Sequence, residues 1–328
     1  MTLNVSEILD MANNLPSGLW DGKAGICLYL VNKDKDATRK LWDEVIQSLP
    51  KMNENIDFFS GLTGIVFTAY KLDENGMKIK EKDGLAAEVD DILFRQFGYN
   101  DTTTKYPLLS LSHLVCFEAW LLNKDNNICE EDRIIRSDLL RHLVNIMLEQ
   151  MSTYDLIEPS NFSLKYLLPN ILLALTYACK SNIYDIRIRR TLEEMSRIFV
   201  GQMPILHANR LFMLWALKKL NRLCNLSCVW KEYISLLENN ISLDRILDYE
   251  VKESIYIADG ISGIYWLLKG MYCKEQISPI IKQKMLKLID YSNEIKMVNE
   301  NDKYRYNHLG LFTGLSGVML TKQFIKCY

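Results

Sequence analysis

Apolar and polar positions along the chain fall into two alternating kinds of helical segment. The first kind is short and nearly uncharged, as in ICLYL, IVFTAYKL, IYWLLKG and VMLTKQFI. Each of these runs is opened by two glycines three residues apart: Gly22-Lys23-Ala24-Gly25-Ile26, Gly61-Leu62-Thr63-Gly64-Ile65, Gly260-Ile261-Ser262-Gly263-Ile264 and Gly314-Leu315-Ser316-Gly317-Val318. Three degenerate copies open at Ser110, Leu167 and Asn209 and lead into VCFEAWLL, LLALTYA and LWALKKL. The second kind is longer and amphipathic: 37–49, 85–97, 133–151, 186–199, 229–237 and 279–295. In the third of these, Ile134, Leu139, Leu140, Leu143, Ile146 and Met147 recur at three- and four-residue steps, with Arg136, Arg141 and Glu149 set elsewhere.

A helix with one apolar stripe buries one face, whereas a helix apolar nearly all round is enclosed on every side. Seven repeats of one enclosed and one half-exposed helix predict an all-α fold in two concentric layers. No polar capping repeat stands at either end, so closure into a ring is expected over an open solenoid. Residues 1–328 are accordingly expected to form a single domain. The paired glycines lie on one face of a first helical turn, where the missing Cβ allows close backbone approach. An anion cradle at the helix N-terminus is the competing reading; recurrence in every clear repeat favours packing.

Composition changes this picture little. Of 328 residues 48% are hydrophobic and 24% charged, an ordinary globular balance. The formal charge of −2 offers no field for nucleic acid or an anionic membrane. The N-terminal segment carries Glu7 and Asp10 and lacks a signal-peptide pattern, and no apolar run reaches the roughly 18–20 residues of a membrane span. Eight scattered cysteines suit reduced thiols, so a cytoplasmic location is expected. Cys224 and Cys228 form the one close pair, without a second ligand pair near in sequence.

The signatures LWDGKAGICLYL, FFSGLTGIVFTAY, IADGISGIYWLL and LFTGLSGVMLTK resemble the lanthionine synthetase C-like (lanthionine cyclase) family, in register from about Gly18 to Tyr328. The resemblance implies an α/α toroid of seven inner and seven outer helices, with the active site at the mouth formed by the inner-helix N-termini. It also implies one zinc, held by a Cys of the fifth unit and a Cys-His pair of the sixth, which activates a peptide thiol for addition to a dehydrated Ser or Thr. In this chain the sixth-unit pair falls on Ala258 and Asp259, the fifth-unit Cys on His207, and the fourth-unit family histidine on Tyr166. Alanine offers no donor, and His207 with Asp259 falls short of the three protein ligands of a catalytic site. Neither the family zinc nor another cofactor is expected, and the family cyclase chemistry goes with it.

The catalytic candidates are then Asp259, His207, Asp21 and Tyr166. Each has a structural counterpart. Asp259 and Asp21 precede helix-opening glycines, where they are expected to be N-caps; His207 sits beside apolar Ile205 and Leu206; Tyr166 fills volume. His113 is expected in packing, and His142 and His308 suggest no chemistry. Aromatics stand just ahead of the inner helices: Trp20, Phe58, Phe59, Tyr256, Tyr304, Tyr306 and Phe312, with Asp57 and Arg305 among them. Trp20, Phe59, Tyr256, Tyr304 and Arg305 are the substrate-binding candidates. Such a rim suits an extended peptide. A peptide or protein partner in a peptide-modifying pathway is the leading expectation. The alternatives are a metal-independent enzyme using paired carboxylates about 5–9.5 Å apart, in the manner of sugar hydrolases, and an interaction module whose opening is blocked.

Overall fold

The glycine signatures open buried helices, as their pattern predicts. A computed structural model describes residues 4–52, 54–98, 106–124, 130–152, 156–224, 226–271, 277–300 and 308–327. Among these the protein is helical and without strands. No described helix is long and apolar enough to cross a membrane. The chain divides into two units, 1–92 with 251–328, and 93–250.

The first unit holds α1 (Val5–Ala12), α2 (Lys23–Leu30), α3 (Lys35–Ser48), α4 (Leu62–Glu74) and most of α5 (Lys82–Leu93) from the N-terminal part. From the C-terminal part come α13 (Ile261–Met271), α14 (Pro279–Asp290), α15 (Asn293–Glu300) and α16 (Leu315–Cys327). The glycine-led helices neighbour one another in the order α13, α16, α2, α4, so the last repeat lies against the first. α3 packs on α2, and α14 on α13 and α16. α3 buries Ala37, Leu41, Trp42 and Val45 and exposes Lys40 and Asp43.

The junctions repeat. The residue two before the first glycine makes a backbone bond to its counterpart in the next repeat: Ala258 N to Phe312 O at 2.9 Å, Phe312 N to Trp20 O at 3.0 Å, and Trp20 N to Phe59 O at 2.9 Å. The residue three before it seats on the next repeat's second glycine. A Cβ on Gly317 would come within 2.8 Å of Ile257, on Gly25 within 2.8 Å of Leu311, and on Gly64 within 2.9 Å of Leu19. The step from last repeat to first therefore has the same geometry as the step from first to second. These glycines serve close packing, the reading that recurrence favoured.

The second unit contains α6 (Leu108–Lys124), α7 (Glu130–Gln150), α8 (Leu167–Lys180), α9 (Asp185–Phe199), α10 (His207–Leu223), α11 (Cys228–Asn239) and the short turn α12 (Leu243–Arg245). Helices α6, α8 and α10 lie side by side; α7 covers α6 and α8, α9 covers α8, and α11 covers α10. Lacking the glycines, α6 and α10 begin three residues before the start expected from the clear repeats, and α8 one residue before it.

Three expectations about the segments need correction, and one helix is added. On α7, Arg136 is buried and Ile134 exposed; position 136 precedes Leu139, Leu140 and Leu143 by three, four and seven residues and so shares their face. The stretch 279–295 is two helices, because Ser292 caps a second start through Ile295 N at 3.3 Å. The stretch 85–97 leaves α-geometry after Leu93 in a π turn, Phe94–Gly98. Helix α1 lies outside the repeat pattern, although Asn4 and Glu7 form a capping box around its start.

Candidate functional site

The candidate residues separate between the two units, and each group has its own surroundings. In the first unit, the loops ahead of α16, α2 and α4 carry Phe312, Trp20 and Phe59 at one repeat position. Phe312 and Trp20 stack with centroids 4.2 Å apart and planes 4° apart, and Phe59 meets Trp20 edge-on at 4.1 Å. Phe58 extends the row, edge-on to Phe59 at 6.3 Å and to Phe67 at 5.6 Å. Ala258 holds the same position ahead of α13, buried and bearing only a methyl group. Tyr256 stacks on His308 at 6.3 Å. Trp20 is buried, while Phe58, Phe59, Tyr256 and Phe312 are half-buried. Tyr304, Arg305 and Tyr306 lie outside the described residues.

Neither aspartate caps its helix as its position suggested. The N-cap of α2 is Gly22, with no side-chain bond. The loop's own carbonyls satisfy the helix start instead: Lys23 N donates to Pro16 O at 2.8 Å and Ala24 N to Ser17 O at 3.3 Å. The same pair recurs ahead of α13, from Ile261 N to Ser254 O and Ser262 N to Ile255 O, and ahead of α16, from Leu315 N to His308 O and Ser316 N to Leu309 O. Freed from capping, Asp21 Oδ1 accepts from Thr313 N at 3.2 Å and from the Thr313 hydroxyl, which ties the first repeat to the last. Asp259 is exposed and its Oδ1 accepts from Ser254 Oγ at 2.6 Å. Asp57 is the organiser of its own turn, accepting from Phe59 N, Ser60 N and Ser60 Oγ. Near Asp259, the Glu294 carboxyl is pushed up by burial and by the charges of Asp259 and Glu253. It lines an open groove of about 660 Å³ with Lys252, Lys287, Tyr291 and Met297.

In the second unit, two carboxylates grip the start of α10. Glu158 accepts from Ile205 N at 2.5 Å, Leu206 N at 2.9 Å and Asn209 Nδ2 at 2.9 Å. Glu250 accepts from His207 N at 2.9 Å and Ala208 N at 2.8 Å. A helix N-terminus presents unpaired N–H groups and positive dipole, so both anions stabilise it. Glu158 and Glu250 come from 48 and 43 residues away, and no local sequence pattern marks them. His207 is half-buried, and its Nδ1 accepts from Ser242 N at 3.1 Å, which leaves the proton on Nε2. Tyr166, the N-cap residue of α8, is buried. Burial first, then the Glu158 charge, push its hydroxyl pKa up, so it stays protonated. Tyr166 and Glu158 line a cavity of about 240 Å³ with apolar side chains from Leu156 to Met213. His142 Nε2 meets the Phe97 carbonyl at 2.6 Å, and His113 is half-buried.

Burial first, and then Arg210, lower the His207 pKa from its ordinary 6.5, against the opposing pull of Glu250. Protonating Nδ1 would also remove the acceptor for Ser242 N–H. The unfolded chain takes up the proton at about 6.5 and the folded protein only at lower pH. Stability from this group is therefore complete above 6.5 and declines as pH falls through 6.5. His207→Gln is expected to flatten the fall of the urea midpoint between pH 7 and 5; an unchanged slope would remove His207 as its source.

The positions that the family resemblance assigns to zinc do not suit it. Ala258 supplies no donor, Asp259 is held by Ser254, and the His207 Nδ1 lone pair is occupied. Among the described residues no three His, Cys, Asp or Glu side chains are grouped as a metal site. Cys27, Cys116 and Cys228 are free thiols. Burial pushes Cys116 up to about 12, which makes it a poor thiolate. No protein-family model matches the sequence, and a comparison with curated proteins finds no match either.

Proposed function

We propose that this protein is an α/α toroid of lanthionine synthetase C-like organisation that holds an extended peptide, free or as a segment of a partner protein, without zinc chemistry. The observation that carries the reading is the repeated junction: the last repeat joins the first as the first joins the second. That continuity is what a ring requires and an open solenoid lacks. Binding is favoured over catalysis because the imidazole and aspartate candidates are each engaged by a protein partner. Half-buried aromatics in the first unit's helix-opening loops, Phe59, Tyr256 and Phe312, present flat apolar area of the kind that anchors peptides.

Calorimetric titration with a panel of unstructured peptides rich in Cys, Ser and Thr tests this. Saturable binding is expected, weakened at least tenfold by Phe59→Ala together with Tyr256→Ala in a variant that keeps its melting temperature within a few degrees. Elemental analysis of protein purified without chelator is expected to find substoichiometric zinc. No peptide bound, or one tightly held zinc per molecule, would overturn the proposal. The raised Glu294 carboxyl near Asp259 favours one second reading, a carboxylate-based hydrolase. Turnover of aryl glycosides that is lost in Glu294→Gln would establish that reading instead.

A further inference from the structure

The cavity ahead of α10 has the features of a side-chain pocket. Its walls are Leu156, Leu168, Phe199, Pro204 and Met213, all buried, with Met203 half-buried. Two large apolar residues, Ile157 at 67% and Ile205 at 80% exposure, also line it and stand open to solvent. Solvent-exposed isoleucines beside an apolar hollow mark a surface that gains by being covered. Three polar residues interrupt the wall, Gln202 at its exposed edge and, deeper, Tyr166 and Glu158. The Tyr166 hydroxyl has no hydrogen-bond partner among the described residues, and with its pKa raised it remains a donor. The Glu158 carboxylate places a negative charge in the same wall.

These features define the occupant. At about 240 Å³ the hollow falls below the roughly 300–1,000 Å³ of sites for drug-sized ligands, so it admits one side chain or a fragment of that size. The lining requires that side chain to be apolar, and the methionines adapt to either a linear or a branched one. The Tyr166 donor calls for an acceptor, which a peptide carbonyl supplies. Glu158 disfavours a carboxylate in that place and so selects an internal peptide residue over a free amino acid or a terminal carboxylate. The exposed isoleucines extend the apolar surface beyond the hollow, where the residues flanking an anchor in an extended peptide would lie.

We infer that the hollow bounded by Tyr166, Glu158, Phe199 and Met213 is an anchoring pocket for one internal apolar side chain, of the Met or Leu type, in an extended peptide. Its natural occupant rests on the peptide-binding reading above, but its own test does not. The probes are N-acetyl-methioninamide and N-acetyl-leucinamide, followed by the methyl resonances of Ile157, Ile205, Met203 and Met213. Saturable shifts at all four are expected, with Kd on the order of 1 mM for so small a fragment. N-acetyl-glycinamide should leave them unmoved, and N-acetyl-methionine with its free carboxylate should bind at least threefold more weakly. Tyr166→Phe is expected to weaken the amides about three- to tenfold, the range of one neutral hydrogen bond. Met213→Trp should fill the hollow and abolish binding; if that variant does not fold, Ile205→Ser at the exposed mouth should weaken binding at least threefold. Absence of saturation, or equal shifts from the glycine amide, would overturn the pocket. Failure of the peptide panel with these shifts intact would remove the peptide reading and leave the pocket.

Discussion

Alanine at Gly64 or Gly317 is expected to destabilise the protein by about 3 kcal/mol, the upper part of the range for overpacking a close contact. A Cβ at Gly64 would stand 2.2 Å from the Phe58 carbonyl oxygen, and one at Gly317 would stand 1.8 Å from that of Leu311. Neither obstacle is a flexible side chain; each is the backbone of the loop that turns into the helix. At Gly317, moving that loop also moves Leu311, which seats on Gly25 of the neighbouring repeat. Gly84 in α5 provides the control, because a Cβ there meets nothing within 4 Å. Gly84→Ala should stabilise by about 0.5–1 kcal/mol, the helix-interior preference for alanine. Urea unfolding of the three variants decides the matter. Equal midpoints for Gly64→Ala and Gly84→Ala would mean that the glycines are not closely packed.

Much of the fold is legible because it repeats. The glycine pair at i and i+3 is a spacing that only a helix turns into one face, and the runs behind it contain too few charges to be exposed. How the helix starts are satisfied is hidden from the sequence. Backbone carbonyls of Pro16, Ser254 and His308 do that work, and a backbone acceptor leaves no residue-type signature. Asp21 and Asp259 resemble caps because their position is the usual one for caps. In the third to fifth repeats, where the glycines are missing, the apolar runs locate the helices without defining their starts. There the start of α10 is held by Glu158 and Glu250 from distant segments, and only folding brings them together. The capping box at Asn4 and Glu7, by contrast, is visible as a pattern and marks α1. Tyr166 stands out in the sequence only through a resemblance, as the residue on which a histidine would fall; the cavity that it lines could not be read from its neighbours in sequence.

Trp20→Ala is expected to cost about 3–5 kcal/mol, the range for removing a large buried aromatic side chain. Trp20 lies at the junction of three repeats. Its ring is covered by Phe312 on one side and by the edge of Phe59, while its backbone accepts from Leu311 N and Phe312 N and donates to Phe59 O. Removing the indole opens a void against both loops and uncovers those backbone bonds to water. Trp20→Phe keeps an aromatic face against Phe312 and should cost clearly less. A double-mutant cycle with Phe312→Ala should return a coupling of about 0.5–1.5 kcal/mol, the excess that a stacked aromatic pair holds beyond its buried area. Because Trp20 belongs to the first repeat and Phe312 to the last, such coupling measures directly whether the two are bound together. Strict additivity of the two alanine variants, with both folded, would mean that the loops do not meet and that the repeats do not close on themselves.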